Sequence, residues 1–225
     1  MLGVIGDLVE DVVVMLAGPP ARGTDTTATI ARTRGGSAAN VAAATASTGA
    51  AVCFIGRVGD DPVGSRLVDE LVAGGVDVRV QRGGRTGAIV VLVEPDGERT
   101  MLSDRGAAVE LDGLDPAWLL GVTWLHVPAY SLCAEPIGAA AHQAIAVVRA
   151  AGGRVSVDVS SVALVDGFGA ARFAELLVEL APDVVLANAE EAMRLDGVPA
   201  SWRLVVKCGA DPVVVVEPDG ARTEV

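Results

Sequence analysis

Short runs of Val, Ile and Leu alternate along this chain with longer stretches dominated by Ala. Residues 2–5 are apolar and bounded by glycines, the pattern of a buried strand. A small-residue helix is predicted over 38–48 and a strand over 51–55. Residues 62–73 place Val63, Leu67, Leu71 and Val72 on one helical face, with Pro62 suited to the first turn. Further on the pattern predicts a helix over 136–151 closed by Gly152-Gly153, then a strand over 155–157. A helix over 173–180, a strand over 184–186, a short helix over 190–195 and a strand over 204–206 follow. Strands joined by crossover helices, each a near-continuous apolar run, define a parallel α/β sheet covered on both faces.

Two stretches interrupt this rhythm. Residues 12–16 and 26–31 alternate small, apolar and Thr positions with no helix between them, and 88–94 and 99–103 flank Pro95-Asp96-Gly97, a hairpin signal. Four strands without crossovers predict a small antiparallel sheet inserted into the α/β core, with its strands within about 12–34 and 85–105. Such sheets often serve as lids. Glu217-Pro218-Asp219-Gly220 echoes Glu94-Pro95-Asp96-Gly97 and predicts a second hairpin, on which the chain ends. Parallel α/β sheets usually close with a helix, so the expectation is one α/β domain over 1–225, cut before its last elements.

Composition narrows the chemistry. Twenty-nine acidic against seventeen basic residues give a net charge of −12, which disfavours nucleic acid and anionic membrane surfaces as partners. Lys207 is the single lysine and is followed by Cys208, which excludes a Walker A loop. Two histidines leave little room for His-rich metal sites or most catalytic triads. Cys53, Cys133 and Cys208 are odd in number and far apart in apolar surroundings, the usage of reduced thiols in a cytoplasmic protein. The N-terminus lacks a basic n-region and meets Asp7 early, unlike a signal peptide.

Four local motifs can carry function. In Arg34-Gly35-Gly36-Ser37-Ala38-Ala39-Asn40 the glycines let backbone approach a ligand, and the helix start beyond favours polar or anionic groups. The same residues read equally well as a turn with an ordinary polar side chain. Asp60 or Asp61 caps the helix that Pro62 opens. Asp11 falls just past the first strand, where α/β proteins place ligand contacts, although such a carboxylate alone is more often a solvated turn residue. Asn188 and Glu191 offer oxygen ligands suited to Mg²⁺ or its waters, with a plain capping box as the rival.

Taken in order, Gly6 with Asp11, Gly35-Gly36 with Asn40, Gly56 through Gly59-Asp60-Asp61 to Gly64, Asn188 with Glu191, and Val206-Lys207-Cys208-Gly209 resemble the ribokinase (PfkB) family of sugar and nucleoside kinases. The resemblance implies a ribokinase-like, mostly parallel sheet with a β-lid. It implies ATP-dependent phosphorylation of a hydroxyl on a sugar or sugar-like substrate, with Mg²⁺, in the cytoplasm. Asp11, Gly35, Gly36 and Asn40 would hold the substrate, and Asn188, Glu191, Lys207 and Gly209 would serve the nucleotide, with Glu191 reaching Mg²⁺ through water. Lids of this family can also form homodimer interfaces.

The pattern breaks in places. No Gly-Ala-Gly-Asp segment, which carries the family's catalytic base and anion hole, occurs between Met1 and Val225. The base is expected beyond Val225, and the chain as given is expected not to turn over. Lys207 replaces a common Thr, Asp158-Val159-Ser160-Ser161 lacks the Asn and Arg of several members, and Pro128-Ala129-Tyr130 stands where ribokinases proper carry a Glu. The alternative reading is a non-catalytic sugar-binding protein. A nucleotide-dependent oxidoreductase is weaker, because Gly167-Phe168-Gly169-Ala170-Ala171-Arg172, in a loop-like stretch, is the nearest approach to a dinucleotide fingerprint.

Overall fold

The computed structural model describes residues 1–198 and 201–225. In chain order the elements are β1 (Leu2–Ile5), β2 (Val9–Leu16), β3 (Ala28–Gly35), α1 (Ser37–Ser47), β4 (Val52–Val58), α2 (Pro62–Ala73), β5 (Asp77–Arg82), β6 (Thr86–Val93) and β7 (Arg99–Gly106). Then come β8 (Trp124–Pro128), α3 (Ile137–Ala150), β9 (Arg154–Asp158), α4 (Val162–Phe168), α5 (Ala170–Leu180), β10 (Val184–Asn188), α6 (Ala189–Met193), β11 (Arg203–Lys207), β12 (Val214–Val216) and β13 (Arg222–Glu224). They form two compact units, one of Met1–Ile5 with Asp112–Val225 and one of Gly6–Leu111.

In the first unit the strands lie in the order β13-β12-β11-β10-β9-β8-β1. Pairing is parallel from β1 through β11 and antiparallel for β12 and β13. Leu125, Val127, Val155, Val157, Val185 and Ala187 share one face and are fully buried, as near-continuous apolar strands require. Helix α3 packs on β8 and β9, and α6 on β10 and β11. The 167–172 stretch is not loop-like: α4 and α5 meet at Gly169, so the residues of the supposed fingerprint lie on two helices rather than after a strand.

In the second unit β4 and β5 pair in parallel, with α1 against β4 and α2 against β5. Asp61 is the cap of α2: its Oδ1 accepts from Gly64 N at 2.8 Å and from Thr86 Oγ1 at 2.7 Å, and its Oδ2 accepts from Thr86 N at 2.8 Å. The remaining strands form a separate sheet in the order β3-β2-β6-β7. β2–β3 and β6–β7 are antiparallel as expected, but β2 and β6 run parallel, so the lid sheet is mixed and not antiparallel throughout. A parallel pair needs a long crossover, and the α1–β4–α2–β5 segment between them supplies it. Opposite residues share a face. One side of this sheet carries Val9, Asp11, Ile89 and Val91, where Val9, Ile89, Val91 and Ala108 form a buried cluster. The other carries Val12, Val14, Ile30, Val90, Leu92 and Leu102, with Ile30 62% and Leu102 56% exposed. Among the described residues no helix is long and apolar enough to cross a membrane.

Candidate functional site

Asp11, Gly35, Gly36 and Asn40 come together in the Gly6–Leu111 unit, though not as the sequence pattern suggested for Asp11. It stands inside β2, two residues in, and not in a turn after the first strand. Its side chain lies against Gly35: a Cβ on Gly35 would meet Asp11 Oδ1 at 2.0 Å and Cγ at 2.2 Å. Gly36 has φ +103, and a Cβ there would lie 2.4 Å from the carbonyl oxygen of Asp7. The Gly-Gly pair is thus required twice, once to admit a carboxylate and once to let α1 start against the chain at Asp7.

The helix start is occupied by the protein itself. Asp7 Oδ1 accepts from Ala38 N and its carbonyl from Ala39 N, each at 3.2 Å. Asp7 Oδ2 is paired with Arg105 in an ion pair that is almost wholly buried on the Asp7 side. The expectation of an anion-seeking helix end is therefore corrected: a chain carboxylate already supplies the negative charge that the dipole favours. What remains open is Asp11. Its Oδ1 is buried with no hydrogen-bond partner among the described residues. Burial, with the Asp7 carboxylate adding to it, pushes the Asp11 carboxyl above its ordinary value, and Arg34 pulls it part of the way back. An orphaned buried acceptor is costly unless something donates to it. Asn40, on the exposed side of the first turn of α1, accepts from Arg34 Nη1 at 2.8 Å through its Oδ1, and the same Arg34 charge acts on Asp11. Glu10, 5% exposed, is held by Arg32 and by Arg66 Nη2, the latter at 2.6 Å, which ties β2 to β3 and α2.

In the other unit, Asn188, Glu191 and Lys207 gather at the carboxyl ends of β10 and β11, where Asn188 and Lys207 are directly paired in register. Asn188 and Glu191 do form a capping box: Glu191 N donates to Asn188 Oδ1 and Asn188 N to Glu191 Oε2, both at 2.8 Å. Glu191 is 4% exposed. Gly209 follows β11 in a left-handed turn, with open space where a Cβ would stand. Lys207 Nζ donates to Asp158 Oδ2 at 2.6 Å, and Asp158 Oδ1 accepts from Ser160 N at 2.8 Å. Asp158 at the end of β9 is not marked as a site residue by the sequence, nor is Asp7, whose only signal is its place directly after Gly6. On the same face, His126 Nδ1 and Trp124 Nε1 both reach Ser156 Oγ, at 3.0 and 2.9 Å. Burial holds the His126 imidazole neutral, its pKa pushed down to about 4, and its Nε2 has no partner among the described residues.

Among the described residues no three His, Cys, Asp or Glu side chains are grouped to hold a metal ion. With one Glu191 oxygen engaged in the cap, the donors do not suit a metal chelated wholly by protein. They suit an Mg²⁺ that keeps waters and arrives on nucleotide phosphates.

A parallel sheet with polar groups at its carboxyl ends, and a mixed lid sheet carrying a carboxylate against a Gly-Gly helix start, define the ribokinase-like class of α/β fold. The solved structure of adenosine kinase from Sinorhizobium meliloti superimposes with a TM-score of 0.85 at 22% identity, over all of this chain and 79% of that one. An Escherichia coli structure named for ribokinase II, solved with ATP and Mg²⁺, gives 0.84 at 20% identity, over all of this chain and 77% of that one. A fructokinase from Escherichia coli is 39% identical over 130 residues, 55% of this chain and 42% of that protein. The chain therefore spans less than half the length of the curated relatives it matches. Residues 1–223 match the profile described as pfkB family carbohydrate kinase, and the chain belongs to that family.

Proposed function

We propose that the chain serves ATP-dependent phosphorylation of a hydroxyl on a sugar or sugar-like substrate, D-fructose being the first candidate because the curated relatives are fructokinases. The observation that carries this reading is the Asp11 carboxylate, set against Gly35 with one oxygen unpartnered among the described residues and linked to Asn40 through Arg34. A sugar hydroxyl donates to the Asp11 carboxylate and accepts from the Asn40 amide. Gly35 leaves room for the Asp11 carboxylate and Gly36 for the chain at Asp7, and together they set where that carboxylate stands.

Asn188, Glu191, Lys207 and Gly209 are assigned to the nucleotide. Lys207, paired with Asp158 at 2.6 Å, is a cation at the sheet's carboxyl end that a phosphate would draw on. Glu191 keeps one oxygen for the waters of Mg²⁺, while its other oxygen fixes the start of α6. Bound Mg²⁺ would neutralise the phosphate charge that builds during transfer, and the protein's part is positioning and electrostatics. The proposal for the base and the anion hole is that residues outside Met1–Val225 supply them, since no Gly-Ala-Gly-Asp segment occurs within these residues. A chain of these 225 residues alone then binds sugar without turnover, the one respect in which a non-catalytic sugar-binding reading is favoured. The apolar outer face of the lid sheet, with Ile30 and Leu102 exposed, supports a homodimer through the lid. Sugar and ATP as substrates support a cytoplasmic location.

The test is calorimetry with D-fructose, D-ribose and 2-keto-3-deoxy-D-gluconate, together with an ATP-coupled assay on the gene product including any residues encoded after Val225. Asp11→Asn and Asn40→Ala should each weaken binding of the accepted sugar by about 1–3 kcal/mol. Unchanged affinity in both variants would sink the substrate assignment.

A further inference from the structure

Arg34 is the last side chain of β3 before Gly35-Gly36, and it stands opposite Glu10 in the β2–β3 register. That register alone suggests a cross-strand ion pair, but the Glu10 carboxylate is taken by Arg32 and Arg66. The Arg34 guanidinium turns instead to the Asn40 amide, with Nη1 donating to Oδ1 at 2.8 Å. Arginine has only donors. Whatever else surrounds Asn40, its amide must show the carbonyl to Arg34 and direct the NH₂ group elsewhere. Asparagine would otherwise present either end to a ligand at little cost, so this contact converts an ambiguous group into a donor. The same guanidinium acts on Asp11, opposing the burial and the Asp7 charge that favour the protonated acid. Asp7 is already neutralised by Arg105, and Glu10 by its two arginines, which leaves Arg34 as the cation whose charge bears on Asp11.

We propose that Arg34 is a positioning and specificity residue of the sugar subsite, fixing Asn40 as a hydrogen-bond donor beside the Asp11 acceptor. A group that both donates and accepts, a free hydroxyl, matches that pair. An ether oxygen or a carbonyl at the same place finds no use for Asp11, and an ammonium none for Asn40. The inference rests on the assignment of Asp11 and Asn40 to the substrate and names what that pair selects.

The experiment compares wild type with Arg34→Ala and Arg34→Lys by two readouts. The first is the titration of the Asp11 carboxyl followed by ¹³C NMR in the ligand-free chain, assigned with Asp11→Asn. The second is D-fructose affinity by calorimetry as a function of pH. Arg34→Ala should raise the Asp11 midpoint, weaken D-fructose about tenfold near neutral pH, and move the acid limb of binding upward with the midpoint. Arg34→Lys should bring the midpoint back towards wild type. A merely structural role would lower the melting temperature and leave the midpoint alone. D-fructose affinity unmoved in Arg34→Ala, where Asn40→Ala weakens it, overturns the proposal, and Arg34→Gln takes its place in the comparison should the alanine variant fail to fold. If Asp11→Asn and Asn40→Ala bind D-fructose as wild type does, or if wild type does not bind it, the substrate assignment fails while the titration still decides whether Arg34 acts on Asp11.

Discussion

Replacing Gly35 by Ala tests whether the Gly-Gly pair exists to admit the Asp11 carboxylate. The new methyl would stand 2.0 Å from Asp11 Oδ1, 2.2 Å from Cγ and 2.6 Å from Oδ2. Side-chain carbons do not tolerate such distances, so Asp11 has to shift away from β3. Gly35 does not have a positive φ, so alanine meets no backbone strain there. It also gains about 0.4–1 kcal/mol by stiffening the unfolded chain. Against that stands an overpacking cost of about 1–3 kcal/mol. The net expectation is a loss of about 1–2 kcal/mol with sugar binding abolished. Removing the carboxylate isolates the cause. Asp11→Ala should cost little stability, since the lost Oδ1 has no partner, and Gly35→Ala in that background should no longer destabilise. Urea unfolding of the four proteins closes the cycle, with a coupling energy of about 1–3 kcal/mol expected. A Gly35→Ala chain as stable as wild type, or a penalty undiminished in the Asp11→Ala background, would refute the steric account. Gly36→Ala behaves differently, because its φ of +103 and its 2.4 Å approach to the Asp7 carbonyl are backbone matters that no side-chain deletion relieves.

Two further outcomes concern pH and stability. The His126 imidazole, held near a pKa of about 4 by burial, stays neutral in the folded chain, while the unfolded chain takes up a proton below about 6.5. Stability is thus complete above about pH 6.5 and falls as pH drops towards 4, by about 3 kcal/mol in all. Denaturation midpoints from pH 7.5 to 4.5 should show this slope, and His126→Phe should flatten it. Asp61→Ala should cost about 2 kcal/mol by chemical denaturation, since it removes a helix cap and leaves the Thr86 and Gly64 amides unmet. Burial pushes the Asp61 carboxyl up, but the hydrogen bonds from Thr86 and Gly64 together hold it below its ordinary value. Its contribution therefore persists above about pH 4 and fades only below that, so an Asp61→Ala deficit that vanished at pH 6 would contradict the assignment.

Much of the frame is legible in the sequence because apolar period and turn chemistry agree. Residues 62–73 carry a proline at the first turn, an acidic cap and one apolar face, and α2 has those bounds. The hairpin around Pro95-Asp96-Gly97 likewise follows from its turn. Strand β5 carries the period-2 alternation of Val78 and Val80 with Asp77, Arg79 and Gln81, but two valines, both only partly buried, make a weak mark beside the apolar runs of the other strands. Pairing direction is beyond local pattern: nothing in residues 12–16 or 88–94 states that β2 and β6 are parallel. Helix α4 is hidden because its 7 residues, VALVDGF, are too short to show a helical period and include Gly167. Of the candidate site, spacing singles out Gly35, Gly36 and Asn40 but does not separate a ligand cradle from a turn, and the family resemblance carries that step. The occupation of the helix start by Asp7 cannot be read from spacing, since its partner Arg105 is remote in sequence.

The parallel pairing of β2 with β6 has a kinetic meaning. The hairpins of β6 with β7 and of β2 with β3 are each local in sequence, the first closed by residues 94–98 and the second by the longer stretch 17–27. Their union joins residue 12 to residue 90, so it must wait until the intervening helices and strands have shortened the distance between them. Closing β2 onto β6 thus carries a larger entropic cost than closing either hairpin. The carboxylate of Asp11, which lies on the seam strand, reaches its final surroundings only when the two hairpins meet.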